Sequence, residues 1–322
     1  MRPDALAGRP CVVAVPKSLE DRHVAAIEAV DPRVRVVRVT DRSTWLEEAP
    51  EAEVILGFRP LREGALRAKF LRWVHAAGAG VENLSQDVAG TEILVTNSHV
   101  HGDVIAEHVF GFLLTHWRRL REAWRAQESR TWASRDVVGD VLAGHTMGIL
   151  GLGTLGAAVA RRAQAFGLRV VGTKRTAAPV PGVDRVYPPE GLEEVLRVSQ
   201  ILVLTLPLTR ETRGIVGERE LGLLPRGAFL VNVGRGGLVQ EAALVAALRD
   251  GHLAGAGLDV FEEEPLPPDS PLWTLPGVLI TPHVAGAFRG YMDRVVPLFC
   301  ENLRRYLDGR PLQSVVDVTR GY

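Results

Sequence analysis

Three side chains that together can move a proton beside a carboxylate stand at the ends of three successive apolar runs. The run Ala228–Val233 delivers Gly234-Arg235-Gly236-Gly237, Ala254–Leu258 leads into Asp259-Val-Phe-Glu-Glu-Glu264-Pro265, and Val278–Thr281 ends in Pro282-His283. In an open α/β sheet the carboxyl ends of the strands form the rim where ligands bind. The planar fork of Arg235, among glycines that leave room for a ligand, suits a carboxylate held by two parallel bonds. A neighbouring carboxylate such as Glu264 stabilises imidazolium, the form in which His283 gives up a proton. Alone, His283 would read as a structural hydrogen-bonding group; beside Arg235 and Glu264 the catalytic reading prevails. The chemistry these parts fit is hydride transfer at a 2-keto or 2-hydroxy acid. Arg235 would hold the carboxylate and polarise the carbonyl, His283 would protonate the oxygen as hydride arrives at carbon, and Glu264 would orient the histidine.

Such a triad needs a hydride carrier, and the sequence offers a place for one. Thr146–Leu150 runs into Gly151-Leu-Gly-Thr-Leu-Gly156 and then into a helical Ala157–Phe166. In that context Gly151 permits the tight turn, Gly153 lets the backbone approach a pyrophosphate, and Gly156 lets helix and strand pack closely. The amides at the helix start, including those of Thr154 and Leu155, would receive the phosphates. About 20 residues beyond the first glycine, an NAD site would place Asp or Glu at the end of the next strand. Here Arg169–Gly172 is followed by Thr173-Lys174-Arg175-Thr176. Two cations and the Thr176 hydroxyl stand where a 2′-phosphate would lie, and each hydrogen bond to a charged group is worth about 1.5–3 kcal/mol. The expected cofactor is therefore NADP, with NAD as the second choice; the competing view is that Lys174 and Arg175 are a solvated loop pair.

Along the chain, short β-branched runs alternate with helical stretches: Val12–Val15, Val34–Val39, Glu53–Gly57, Trp73–Ala76 and Ile93–Thr96, then Thr146–Leu150, Arg169–Gly172, Ile201–Leu206 and the three runs above. Runs bare of polar alternation and separated by helices mean parallel sheets covered on both faces. The expected fold class is α/β, with two doubly wound parallel-sheet domains. A flavodoxin-like substrate (catalytic) domain takes 1–98 plus 289–322, and a Rossmann dinucleotide-binding domain takes 99–288. Asp103–Gln127 reads as one long hinge helix capped by Asp103. Between Arg125 and Val141 periodicity is lost, and this segment, with Trp132, is expected to be an arm packing on a second subunit. The stretch Arg289–Leu307 reads as the last helix, ending at Asp308-Gly309, after which the tail returns to the first domain.

Composition narrows the class. The 322 residues are about two domains' worth of chain, and 46% hydrophobic with 24% charged residues is globular usage. Lys plus Arg (38) equals Asp plus Glu (38), so there is no global field for nucleic acid or an anionic membrane. No apolar run approaches a membrane span, and Met1-Arg2-Pro3-Asp4 leads into Cys11–Val15 without a signal-peptide core, so a cytoplasmic location is expected. Cys11 and Cys300 make neither a metal spacing nor a disulfide framework, and no metal site is expected.

With these residues in view, the chain resembles the D-isomer-specific 2-hydroxyacid dehydrogenase family. The resemblance rests on Gly151-Leu-Gly-Thr-Leu-Gly156, Leu206-Pro-Leu-Thr209, Asn232-Val-Gly-Arg-Gly236, Leu258-Asp-Val-Phe-Glu-Glu-Glu-Pro265 and Thr281-Pro-His283, and spans nearly the whole chain. It implies a homodimer, a cleft between two domains, and Arg235, Glu264 and His283 in the roles above. It further implies that Ala79 and Gly80 offer backbone amides to the substrate carboxylate. By the same resemblance Leu206, Pro207 and Thr212 line the adenosine side, Val233 and Gly234 border the cofactor, and Asp259 reaches the nicotinamide carboxamide. Two departures stand out: Ser98-His-Val-His101 replaces a glycine-bearing turn, with His99 and His101 expected to be solvated or helix-capping rather than facing substrate, and Val284-Ala-Gly-Ala287 replaces Gly-Ser after the histidine. Formate dehydrogenases of this superfamily carry glutamine in place of Glu264 and are set aside. The expected substrate is a small one such as glyoxylate or hydroxypyruvate. The alternatives are a phosphoglycerate dehydrogenase-like enzyme using NAD, with Arg59 and Lys17 as phosphate cations but no room after Tyr322 for a regulatory domain, or a non-catalytic dinucleotide-binding corepressor-like protein.

Overall fold

Valine, isoleucine and leucine runs without alternating polar residues form strands buried on both faces, and every paired strand in the computed structural model is parallel. The structure describes residues 8–320; the Met1-Arg2-Pro3-Asp4 start and Tyr322 lie outside the described residues. The chain divides into two compact units, Met1–Val100 with Phe288–Tyr322, and His101–Ala287.

In the first unit strands and helices alternate: β1 (Cys11–Pro16), α1 (Asp21–Glu28), β2 (Val34–Val39), α2 (Trp45–Glu48), β3 (Val54–Leu56), α3 (Arg62–Arg67), β4 (Trp73–Ala76), α4 (Glu82–Val88) and β5 (Leu94–Asn97). The sheet order β2-β1-β3-β4-β5 is the flavodoxin-like doubly wound arrangement. The second unit comprises α5 (Gly102–Trp117), α6 (Leu120–Glu128), β6 (Thr146–Leu150), α7 (Thr154–Ala165), β7 (Arg169–Thr173), β8 (Arg185–Tyr187), α8 (Leu192–Val198), β9 (Ile201–Leu204), α9 (Glu218–Leu223), β10 (Ala228–Asn232), α10 (Glu241–Arg249), β11 (Leu253–Leu258) and β12 (Val278–Ile280). Its order, β12-β11-β10-β9-β6-β7-β8, is the Rossmann order with one strand added, and it reverses between β6 and β9, where such sheets open a ligand crevice.

The chain then returns to the first unit. In α11 (Tyr291–Leu307) the helical spacing of Val295, Phe299, Leu303 and Tyr306 buries one face against β1 and β3 residues. Phe299 stacks on Trp73 at 5.0 Å between ring centroids. Beyond it the tail runs along β5: the Asn97 amide donates to Ser314 O at 3.2 Å and the Val316 amide to Val95 O at 2.9 Å.

Three local expectations need correction. The helix expected from Asp103 to Gln127 is two helices, because Arg119 takes the left-handed conformation (φ +51°) between α5 and α6. That conformation interrupts the helical hydrogen-bond ladder, and glycine or asparagine, its usual sequence signals, is missing there. Asp103 does not cap α5; it sits in the first turn and pairs with Arg162 at 3.0 Å. Finally, α6 extends to Glu128, into the segment expected to be irregular from Arg125. Strand β8 had no signal in the sequence, being a three-residue edge strand without an apolar run. Among the described residues no helix is long and apolar enough to cross a membrane.

Candidate active site

The turn after β6 has the form a pyrophosphate needs. Gly151 adopts φ +103°, and a Cβ on Gly156 would lie 2.3 Å from Gly151 O, so the strand-to-helix turn closes only with glycine at both places. A Cβ on Gly153 would meet nothing within 4 Å, so the backbone there faces open space. The first bond of the α7 ladder runs from the Ala157 amide to Gly153 O at 2.9 Å, leaving the amides of Thr154, Leu155 and Gly156 ahead of it. The residues present fit a dinucleotide: an open backbone cradle at a helix start, at the point where the sheet order reverses.

The end of β7 lies beside this cradle, since Thr173 O accepts from the amides of Gly151 (3.3 Å) and Leu152 (2.9 Å). Lys174 follows half-buried, Arg175 and Thr176 exposed. On the neighbouring strand β8, Arg185 pairs in register with Val171, and its guanidinium stands 4.6 Å from the centre of the Tyr187 ring, which lies opposite Thr173. Across the cradle, Leu206 is the neighbour that a Cβ on Gly151 would touch first, at 3.0 Å. The Thr212 hydroxyl donates to Pro207 O at 2.6 Å and accepts from the Thr209 amide at 2.8 Å, closing that loop on itself.

Arg235, Glu264 and His283 follow the carboxyl ends of three adjacent strands, because Asn232 of β10 pairs with Leu258 of β11, and Leu258 with Ile280 of β12. Asn232, 1% exposed, brackets the arginine turn: its Oδ1 accepts from the Gly234 amide (3.1 Å) and its Nδ2 donates to Arg235 O (2.9 Å). Val233 is buried beside it. A Cβ on Gly236 would fall 1.8 Å from the carbonyl of Phe261, so the arginine turn presses directly on the loop that carries Glu264. Glu264 Oε1 accepts from the Phe261 amide at 3.1 Å, which leaves Oε2 to meet His283 Nδ1 at 2.7 Å. The imidazole and carboxylate are both partly exposed.

His283 is held in the left-handed region (φ +53°), unusual for a non-glycine residue, and Asp259 accounts for it. Asp259 O accepts from the His283 amide at 2.8 Å; Oδ1 accepts from the Val284 amide (2.9 Å) and the Thr281 hydroxyl (2.6 Å), and Oδ2 from the Ala285 amide (2.9 Å). Because the Thr281 hydroxyl spends its proton on Asp259, the His108 Nε2 contact to Thr281 Oγ1 at 2.9 Å is one in which His108 donates. Burial holds the His108 imidazole below its ordinary range, against the pull of Asp259. His108 carries no motif of its own; the packing of α5 near the end of β12 is what brings it to Thr281.

Ala79 and Gly80 lie in the other unit, in the turn between β4 and α4, with Ala79 half-buried and Gly80 exposed. Of the two histidines before α5, His99 is exposed. His101 is not solvated, and its side chain makes no cap bond; it is 8% exposed, with its ring 3.1 Å from where a Gly286 Cβ would stand.

Residues 110–285 match the model of the family described as D-isomer specific 2-hydroxyacid dehydrogenase, NAD binding domain. The chain is 38% identical over 262 residues to a glyoxylate reductase of Aeropyrum pernix, covering 78% of each sequence. It is 31% identical over 315 residues to D-3-phosphoglycerate dehydrogenase of Methanocaldococcus jannaschii, covering 95% of this chain and only 59% of that longer enzyme. Among solved structures it superposes with a TM-score of 0.83 and 30% identity on an NADPH-dependent glyoxylate/hydroxypyruvate reductase from Sinorhizobium meliloti in complex with NADP and sulfate, covering 97% of this chain and 100% of the other.

Proposed function

Because this chain belongs to the D-isomer-specific 2-hydroxyacid dehydrogenase family, we propose that it is an NADP(H)-preferring reductase of small 2-keto acids such as glyoxylate or hydroxypyruvate. The observation that carries the proposal is the 2.7 Å contact between His283 Nδ1 and Glu264 Oε2, at the strand edge that also carries Arg235. A dinucleotide bound at the Gly151–Gly156 turn supplies hydride to the substrate carbon. Arg235 holds the substrate carboxylate and draws charge toward the carbonyl oxygen. With Nδ1 engaged by Glu264, His283 turns Nε2 outward to give that oxygen a proton, and takes one back in the oxidative direction. Asp259 Oδ2, with one bond among the described contacts, has capacity left for the nicotinamide carboxamide. Leu206, Pro207, Thr212, Val233 and Gly234 border the cofactor, Lys174, Arg175 and Thr176 receive the 2′-phosphate, and Ala79 and Gly80 in the first unit meet the substrate carboxylate.

Two observations sharpen this reading. No carboxylate stands among residues 174–176, so no negative charge there repels a 2′-phosphate and no carboxylate accepts from a 2′-hydroxyl. Arg59, the cation a phosphorylated substrate would need, already lies 3.4 Å from Asp87, which favours a small uncharged substrate tail over phosphoglycerate. The homodimer belongs to the same proposal: Trp132 (94% exposed) and Val138 (69%) stand out on the 129–141 segment, apolar groups that a second subunit would cover. The deciding experiment is reduction of glyoxylate and hydroxypyruvate by the purified protein with NADPH and NADH in parallel. Faster turnover with NADPH is expected; activity with NADH alone overturns the cofactor preference, and no turnover with either overturns the substrate assignment.

A further inference from the structure

The turn Ala77-Gly78-Ala79-Gly80 carries no side chain beyond a methyl group, so any hold it has on an anion must come from its backbone. Its orientation is set from outside. The Tyr291 hydroxyl of α11 donates to Ala77 O, and Asn97 Nδ2, at the end of β5, donates to Ala79 O at 2.8 Å. Both donors are themselves fixed. Asn97 is 8% exposed, pairs with Ala76 across β4 and β5, and has its amide on Ser314 O. Tyr291 is half-buried, and burial pushes its hydroxyl up to about 12, so it stays a neutral donor across the working pH range.

A trans peptide holds its C=O and the following N–H on opposite sides of one plane. Fixing the Ala77 carbonyl toward Tyr291 therefore turns the Gly78 amide away from α11, and fixing the Ala79 carbonyl toward Asn97 turns the Gly80 amide away from β5. A Cβ built on Gly78 would meet nothing within 4 Å, so the space at the turn is open. Beneath it β4 is anchored by a buried chain: the Trp73 indole N–H donates to Thr96 Oγ1 (2.8 Å), and the neutral His75 ring bridges two hydroxyls, with Nδ1 2.7 Å from Thr96 Oγ1 and Nε2 2.9 Å from Ser98 Oγ.

We propose that Asn97 and Tyr291 are positioning residues that aim the backbone amides of Gly78 and Gly80 at the carboxylate of the substrate. The inference rests on the reading of this turn as the carboxylate receiver, and it adds the Gly78 amide to those of Ala79 and Gly80. Losing a fixed amide costs one charge-assisted hydrogen bond, so Tyr291→Phe and Asn97→Ala should each raise KM for glyoxylate about tenfold, with kcat changed less than about twofold and KM for NADPH unmoved. The inhibition constant of oxalate, which has the carboxylate but no reducible carbonyl, should rise in parallel. With isotope-labelled glycine, oxalate should shift the Gly78 and Gly80 amide resonances of the wild-type holoenzyme, and the same shifts in either variant should need about tenfold more oxalate. Unchanged oxalate affinity in both variants, or a fall in kcat at constant KM, overturns the proposal, as does a wild type in which neither glycine responds. Tyr291→Phe removes a single oxygen and keeps the ring, so it guards against a fold defect in Asn97→Ala. A wild type that shows the glycine shifts yet does not reduce glyoxylate supports this proposal and overturns the proposed function instead.

Discussion

The loop around His283 and the Ala77–Gly80 turn solve the same problem in opposite ways. Around His283 a buried side chain, Asp259, gathers backbone amides at 284 and 285 and so fixes the loop that presents another side chain, the proposed proton donor. At the turn, side chains on α11 and β5 gather backbone carbonyls and so fix the peptide planes of the backbone itself, the proposed anion receiver. A carboxylate is the natural collector in the first case because it accepts up to four bonds; a phenol and an amide serve in the second because they donate. The difference teaches where specificity of sequence is needed. When the acting group is a side chain, its identity is written at its own position; when it is a peptide N–H, the identity that matters is written at the donors that hold the neighbouring carbonyls.

The largest effect separates acting from positioning groups. His283→Gln removes the proton donor while keeping a polar side chain, and kcat should fall by about 10²–10⁴, with cofactor binding, followed by nicotinamide fluorescence, unchanged. If kcat survives, the side-chain half of the comparison fails. Next in size, Lys174→Ala combined with Arg175→Ala should raise KM for NADPH about a hundredfold while leaving KM for NADH within a fewfold; equal losses would assign the pair to the solvent. Then Asp259→Asn places an NH2 against backbone amides that a carboxylate oxygen now receives, and should lower kcat about tenfold together with the melting temperature. A drop in melting temperature without a change in kcat would make Asp259 structural only.

The smallest effect concerns the chain under the turn. Burial (1% exposed) lowers the His75 pKa from 6.5 to about 4, so the folded protein prefers the neutral imidazole. The unfolded chain takes up a proton first as pH falls; the contribution is therefore complete above about 6.5 and disappears as pH drops through about 4. It amounts to on the order of 3 kcal/mol. Burial depresses His108 and His116 in the same sense. His75→Gln, which can still bond Thr96 and Ser98, should flatten the fall of melting temperature over that window relative to wild type.

Much of this was legible from residues alone, for physical reasons. Unalternating apolar runs have few fates other than a parallel sheet, and three glycines between such a run and a helix mark a turn that other residues cannot close. Arg235, Glu264 and His283 were legible because each follows its own strand. Asn97, Tyr291 and His108 were not: each is an ordinary residue whose importance comes from a partner brought near by folding, for Tyr291 and Ala77 across 214 positions. Arg119 was illegible for another reason, since a left-handed backbone at an arginine is imposed by the packing of two helices rather than by the residue.

The return of α11 and the tail to the first unit has a temporal consequence. On the ribosome, every strand of the second unit and its Gly151–Gly156 turn are synthesised before Tyr291 and Ser314. Domains generally fold as units as they are completed. The half that holds the cofactor can therefore mature first, while the first unit waits with the face of β1 and β3 uncovered until Phe299 and Tyr306 arrive. Translation that stops near residue 287 would leave the second unit complete and the first without α11, and so without the Tyr291 bond to Ala77 O.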